Sequence, residues 1–259
     1  MENKVKAALI SIARIDDARE HKEYGYWHRH DHMPEVLSRP GVLVAQRLVA
    51  PPAYLRARPP DEGDVAGAQY LTYYMLGEPL ESILEMFSGG SRAFDLRGAG
   101  RLRLLKNSST GGIFRLVKSY VHPRVVVSPG AVAFLPHTGV FASVSDLVVP
   151  AHKERIDRWY DEVHIPDMLS VHHVTACYWF EAWTTEHKTV NVAAAPKGRT
   201  VRLFFLDGDP LEMTLDLRWR VDQWRSAGRM KVYEETKAVH RLLSGPFMPV
   251  TSDRFDWFD

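Results

Sequence analysis

Hydrophobic residues along the chain fall into short apolar runs separated by longer polar stretches. Each run is short for a helix and is rich in β-branched or aromatic residues, so we predict a strand at each one. The predicted strands lie at residues 5–14, 42–49, 69–76 and 114–121, and again at 139–149, 174–183, 200–206 and 247–255. The run at 5–14 lacks polar alternation, which is typical of a strand buried on both faces.

Two polar, charged stretches, residues 17–39 and 151–170, predict helices. Proline is unfavourable inside a helix, because its ring clashes with the preceding turn and it lacks an N–H. We therefore expect Pro34 and Pro166 each to open a new short turn. A further proline after each aromatic strand suits the first turn of a second helix. The predicted order in each half is β-α-β-β-α-β.

Three sequence blocks occur twice in the same order. They are Trp-x4-His-x-Pro-[Glu/Asp]-x-Leu-Ser, Gly-[Glu/Asp]-Pro-Leu-Glu and Arg-x-Ala-Gly-Arg. The copies lie at residues 27–38 and 159–170, 77–81 and 208–212, and 97–103 and 225–231. Because three ordered matches at nearly constant spacing are hard to obtain by chance, we infer a tandem duplication of one α+β unit.

A β-α-β-β-α-β unit is ferredoxin-like and has one sheet face covered by helices and one bare face. The bare face must be buried, and a second copy on the same chain is the simplest partner. We predict the α+β class, with two tandem ferredoxin-like units packed sheet to sheet as one barrel around a small-molecule pocket. The predicted first half is residues 1–121, the connector is 122–137, and the second half is 138–259.

Composition excludes several classes of protein. The chain has 259 residues, a formal charge of +1 and one cysteine, so we expect no nucleic-acid partner, no membrane partner, no internal disulfide and a cytoplasmic location. No dinucleotide or phosphate-binding motif occurs, so a nucleotide cofactor is not indicated. The outer helices leave a surface on which a homodimer of fused barrels could form.

The Trp-x4-His-x-Pro signature after a first strand resembles the EthD-like branch of the dimeric α+β barrel superfamily. The resemblance covers both halves and rests on Trp27, His32 and Pro34 and on Trp159, His164 and Pro166. It implies a tandem-fused member of a superfamily that contains cofactor-free isomerases, dehydratases, decarboxylases and monooxygenases, and also haem enzymes. A resemblance of this kind supports the predicted fold better than it supports any one reaction.

The candidate catalytic residues are His164, His32, Tyr160 and His28. An imidazole exchanges protons near neutral pH, which suits general acid–base work. The alternative is that each histidine only caps a helix end. A metal at His28 and His32, four residues apart, would need a third ligand that the neighbouring sequence lacks, so we predict no metal.

The candidate substrate-binding residues are aromatic, basic or histidine side chains on or beside predicted strands: His172, His173, Tyr178, Arg47, Tyr73, Tyr74, Phe204, Phe205, Trp159 and Trp27. Alternation should turn one residue of each aromatic pair toward the helices and the other into the barrel. It should likewise turn His172 or His173 toward the barrel. Arg47 either points inward, toward a carboxylate or enolate, or is a surface charge.

Together these features favour a cofactor-independent enzyme that uses histidine acid–base chemistry, of the isomerase, dehydratase or decarboxylase type. Its substrate would be a small aromatic or polyketide-like molecule in the barrel, with loops 50–68 and 184–199 as lids. The alternatives are a haem- or oxygen-dependent enzyme of the same superfamily and a non-catalytic binding protein.

Overall fold

The apolar runs form eight strands in the computed structural model, which describes residues 2–88, 109–183, 195–251 and 254–259. The strands are β1 (Ala7–Ala13), β2 (Val42–Val49), β3 (Tyr70–Leu76), β4 (Ser109–Val121), β5 (Gly139–Leu147), β6 (Val174–Ala182), β7 (Arg199–Leu206) and β8 (Val239–Pro249). Every pairing between neighbouring strands is antiparallel.

The helices lie at the polar stretches between the strands. They are α1 (His21–Trp27), α2 (Met33–Leu37), α3 (Pro52–Ala57), α4 (Leu80–Ser88), α5 (Lys153–Trp159), α6 (Ile165–Leu169), α7 (Pro210–Ser226) and α8 (Lys231–Thr236). Among the described residues, none of these helices has both the length and the apolar character that a membrane span requires.

The strands close into one barrel in the order β1-β3-β2-β8-β5-β7-β6-β4. The last strand of each half crosses to the other half, because β4 pairs with both β1 and β6, and β8 pairs with both β5 and β2. The prediction of two ferredoxin-like units packed sheet to sheet as one α+β barrel is therefore confirmed.

The barrel interior is filled by side chains. Alternate residues of all eight strands form one buried cluster, which includes Tyr73, Phe114, Tyr178, Phe180, Phe205 and Phe247. The interior of an eight-stranded barrel is just wide enough for its own side chains, and large aromatic rings fill it. The expectation of a pocket in the barrel is therefore wrong for the described residues.

Two strand boundaries also differ from the sequence expectation. β8 begins at Val239 rather than at 247, and β4 begins at Ser109 rather than at 114. The early part of β8 carries polar residues and a glycine, which hide the strand pattern. Gly245 is needed there, because a Cβ would lie 2.6 Å from the Arg58 side chain. The first copy of the third repeat, 97–103, and most of the proposed lid 184–199 lie outside the described residues.

Candidate functional site

The repeated motif forms a kinked helical segment in each half. A π-helical turn separates α1 from α2 at His28–His32, and another separates α5 from α6 at Tyr160–His164. Each turn precedes the motif proline, whose missing N–H prevents a regular helix from continuing through it. The two copies hold their histidines alike, since His32 stacks on Trp27 at 4.9 Å between ring centroids and His164 stacks on Trp159 at 4.7 Å.

These motif side chains lie between the kinked helices and the outer face of the sheet. Nε2 of His28 is 3.4 Å from the Thr72 hydroxyl, and the Tyr160 ring is 6.1 Å from Trp179. Both strand residues alternate with those that fill the barrel interior. The candidate catalytic residues His28, His32, Tyr160 and His164 therefore belong to two outer sites, one per half, and not to a pocket in the barrel.

The aromatic pairs divide between the two sheet faces. Tyr73 and Phe205 point into the barrel, where their rings lie 6.3 Å apart. Tyr74 and Phe204 face the helices. Tyr178 is also inside the barrel, and its hydroxyl donates to the carbonyl of Pro129 at 2.6 Å, so it is a packed and satisfied core residue.

Arg47 is neither directed into the barrel nor a surface charge. It is 1% exposed on the helix-facing side of β2, with its guanidinium carbon 4.9 Å from the Tyr24 ring centroid and 4.6 Å from that of Tyr70. Its Nη1 donates to the carbonyl of Gly25 at 3.3 Å, while Nε and Nη2 are buried with no hydrogen-bond partner among the described residues.

Arg202 is the corresponding cation of the second half, and the sequence reasoning missed it. It is 2% exposed, its guanidinium carbon lies 3.3 Å from the Tyr160 ring centroid and 5.1 Å from that of Trp179, and its Nη1 is 3.4 Å from the Ser145 hydroxyl. Among the described residues it forms no ion pair. The available signal was a charged residue inside the apolar strand β7.

The two arginines occupy opposite members of the same cross-strand pair. Arg47 pairs with Thr72 across β2 and β3, whereas in the second half the arginine is on the other strand, Arg202 paired with Trp179. Aligning the sequence blocks alone therefore matches Arg47 with Trp179 and hides the shared chemistry of the two sites.

One histidine of each site, His28 in the first half and His164 in the second, is held neutral. Burial, and then the positive charge of Arg202, lower the pKa of His164 to about 3. Burial, Arg47 and His32 likewise lower the pKa of His28 well below its ordinary value. Some of the His164 surface still reaches solvent, but its Nδ1 is buried. Such rings can exchange hydrogen bonds at neutral pH, but they carry no positive charge of their own.

Buried polar atoms without hydrogen-bond partners among the described residues also occur in the second-half site. They are Nδ1 of His164, Nε1 of Trp179 and Nε of Arg202. Trp159, by contrast, donates its Nε1 to the carbonyl of Arg229 at 2.7 Å and is an anchored core ring; Nε1 of Trp27 has no such partner among the described residues. Unsatisfied buried groups are rare, so such a group calls for a functional or structural explanation.

A small cleft opens beside this group. The second-half cleft lies between α5 and the strands β5, β6 and β7, and its interior volume is about 10 Å³, enough for one water molecule. Arg202 and Tyr160 line its inner part. The rest is lined by polar and charged side chains, among them Lys153, Asp157, Glu181 and Thr200, and by the apolar Leu147, Ile156 and Val239. Ligand pockets usually enclose roughly 300–1,000 Å³, so the side chains that line this cleft must move apart before an organic guest can enter.

His172 and His173 do not join either site. Both lie in the turn before β6, because His173 adopts a left-handed conformation with φ of 71° and the strand starts only at Val174. The His173 ring is 3.4 Å from Glu212 at the start of α7. Five residues of strand, roughly 16 Å at 3.3 Å per residue, separate this turn from Trp179. The expectation that one of these histidines lines the barrel is therefore wrong.

The surroundings of His164 do not fit a haem, and the described residues show no arranged metal site. Among them, no group of three histidine, cysteine or acidic side chains is arranged to bind a metal. The His164 ring is enclosed by Trp159, Tyr160 and Trp224, with ring centroids 4.7, 5.6 and 6.1 Å away, and it does not line the cleft. An axial ligand needs an open slot for the porphyrin, which these residues do not provide.

No protein-family model matches the sequence, and none of the curated proteins matches it. Solved structures match nearly the whole chain. An anthrone oxidase-like protein shares 9% identity over 96% of this chain and 92% of its own, with a TM-score of 0.57. A candidate monooxygenase from Fusobacterium nucleatum shares 9% over 97% and 94%, with a TM-score of 0.52. A candidate chlorite dismutase shares 12% over 98% and 99%, with a TM-score of 0.50. At these identities the likeness shows the shared fold, the ferredoxin-like α+β barrel.

Proposed function

We propose that this chain is an enzyme that holds a small anionic molecule, aromatic or polyketide-like, at the second-half cleft, which widens to admit it. The observation that carries the proposal is the guanidinium of Arg202, buried beside this cleft with no carboxylate partner among the described residues. Burying an unpaired charge is costly, and an anionic ligand would offset that cost. Tyr160, which lines the cleft, supplies an aromatic contact for a planar guest.

In this proposal Arg202 holds a carboxylate or an enolate oxygen and stabilises the negative charge there. His164 does not line the cleft, so its proposed proton exchange with the substrate requires the Tyr160 ring that packs against it to move aside. An anion on Arg202 would cancel one of the two effects that lower the His164 pKa, so substrate binding would make the ring more basic. This supports our finer proposal of a cofactor-independent isomerisation, dehydration or decarboxylation by a tandem-fused, EthD-like barrel.

An oxygen-dependent reaction is the second candidate. It is favoured by the fold shared with the anthrone oxidase-like protein and the candidate monooxygenase. Both candidates begin with the same step, formation of a substrate anion beside Arg202. Oxygen consumption during turnover separates them, and a Soret band after incubation with haemin would support the haem form of the second candidate.

The binding part of the proposal is tested by titration calorimetry with benzoate and with benzamide, its neutral analogue. We expect the wild-type protein to bind benzoate but not benzamide, and Arg202→Gln to lose benzoate binding. Equal affinity for the two compounds, or unchanged benzoate binding by Arg202→Gln, would reject the assigned role of Arg202.

The catalytic part is tested with His164→Gln once a substrate has been found among aromatic acids. We expect this variant to lose turnover while it keeps its melting temperature and its benzoate affinity. If it keeps full turnover, the proton-transfer role is wrong, and if the wild-type protein binds ligands without any turnover, the chain is a binding protein.

A further inference from the structure

Strand register places equivalent rows of side chains in the two halves. Each row crosses three strands at the same level, beside the first kinked helix of its half. The first-half row is Ala13, Tyr70 and Val49, and the second-half row is Ser145, Thr200 and Glu181. The second-half row lines the open cleft beside Arg202, so the first-half row marks where an equivalent cleft would lie.

The 254–259 segment occupies that position in the first half. Phe255, 8% exposed, packs in one cluster with the whole first-half row. The Phe258 ring stacks on His21 at 4.3 Å and lies 6.0 Å from Tyr70. His21 is equivalent to Lys153 of the second-half cleft, with the motif tryptophans as reference. The aromatic rings of the segment therefore lie over the row of the first half that corresponds to the cleft row of the second half.

Gly25 makes room for this segment. A Cβ at Gly25 would lie 2.4 Å from the Phe255 ring, closer than real Cβ atoms approach. Glycine inside a helix costs about 1 kcal/mol relative to alanine, and here its smallness admits the ring. The equivalent residue of the second half is Asp157, which lines the open cleft.

The segment presents an aromatic ring beside an acidic side chain. Next to the stacked Phe258, the carboxylate of Asp259 pairs with Lys22 at 2.7 Å. On the sheet side of the same site, Arg47 lies against the Tyr70 ring with two buried nitrogens that have no partner among the described residues. The segment thus supplies the ring but leaves this buried cation without an anion.

We propose that the first-half site is a second binding site for aromatic anions, with Arg47 as its cation, and that the 254–259 segment is its internal occupant. Displacement of the segment opens the site to a free ligand. The ligand class rests on the proposed function of the second half, and the position of the site rests on the packing of the segment.

The test uses full-length variants in which the segment is displaced, and 2-naphthoate as the probe in titration calorimetry. Gly25→Ala removes the space for Phe255, and Phe258→Ala removes the stacked ring without touching α1. We expect each variant to bind one more 2-naphthoate than the wild-type protein. We also expect Arg47→Gln, added to either variant, to abolish the extra binding. Phe134→Ala, which truncates a phenylalanine that is 49% exposed in the connector, is the matched control and should add no site.

The stoichiometry separates this proposal from the proposed function. Binding by the wild-type protein that depends on Arg202 concerns the second half, and the increment that depends on Arg47 concerns the first. The proposal is overturned if neither variant gains a site, or if the gain persists with Arg47→Gln. Circular dichroism checks that each variant is folded, and if Gly25→Ala is not, the result for Phe258→Ala decides.

Discussion

Each half of the barrel buries one arginine behind its kinked helix, but the surroundings of the two arginines differ. In the first half Arg47 lies beneath aromatic rings, and the 254–259 segment covers the outer row of the site. In the second half Arg202 lies beside an open cleft whose row is polar. The comparison teaches that a repeated fold can keep the place of a site while its access is decided by a few side chains.

The largest expected effect separates the two arginines. Arg202→Met should weaken benzoate binding by about 100-fold, since truncating one partner of a buried charge pair costs roughly 2–5 kcal/mol. Arg47→Met should leave that affinity within about twofold, because the first-half site is filled. Each variant removes an unpaired buried charge, so we expect neither to lower the melting temperature. Similar losses of affinity in both would mean that the halves do not differ as described.

The next effect tests how firmly the segment is held. Phe255→Ala should lower the free energy of unfolding by about 3 kcal/mol, the lower end for a buried phenylalanine. Tyr26→Ala on α1, where the ring is 64% exposed, is the control and should cost less than about 1 kcal/mol. Urea unfolding measures both. Equal losses would show that the segment contributes little to the packing of the first half.

The sequence predicted the fold of the protein more fully than it predicted the candidate site. The repeated blocks and the apolar runs were sufficient to predict the barrel, because hydrophobic periodicity and duplication can both be recognised in the linear sequence. The sequence also pointed to the motif residues His28, His32, Tyr160 and His164, whose catalytic role stays a prediction. Their position outside the barrel was not predicted, because which sheet face a residue occupies depends on register, and a shift of one residue reverses it.

Repeats and local patterns could not identify Arg202 as a site residue or the 254–259 segment as a part of the first-half site. Arg202 has no counterpart in the aligned blocks, since the first-half cation is on the neighbouring strand. Only the start of the segment, up to Phe255, was assigned to the end of a strand, because an aromatic residue is typical of one. Its contact with Gly25 joins residues more than 200 positions apart, and local patterns carry no information about such a pairing.

A smaller effect is expected from the pH dependence of stability. His164 has a folded pKa of about 3 against an ordinary 6.5, so between these values the unfolded chain binds a proton that the folded one does not. Stability is therefore fully present above about pH 6.5 and falls as the pH drops toward 3. His164→Gln should remove on the order of 1 kcal/mol of the loss between pH 7 and pH 5, allowing for partial solvent access.

Urea unfolding at the two pH values measures this difference for the wild-type protein and the variant. His173→Gln is the control, because His173 lies in a turn outside both sites, and it should leave the loss unchanged. The same loss in wild type and His164→Gln would mean that the ring is not held neutral.

The smallest effect concerns the edge of the open cleft. Glu181 occupies the position that Val49 has in the first half, and its carboxylate repels an anionic ligand that approaches Arg202. Glu181→Val should therefore raise benzoate affinity by about two- to threefold at low salt, a change typical of a partly exposed charge. The gain should disappear near 1 M salt, where screening acts over roughly 3 Å.

Lys153 also lines the cleft edge and pairs with Glu181 at 3.3 Å. Lys153→Met should therefore lower benzoate affinity by a similar factor. A gain that persisted at high salt would indicate a change of cleft shape instead, and the polar lining would then not explain why the second half is open.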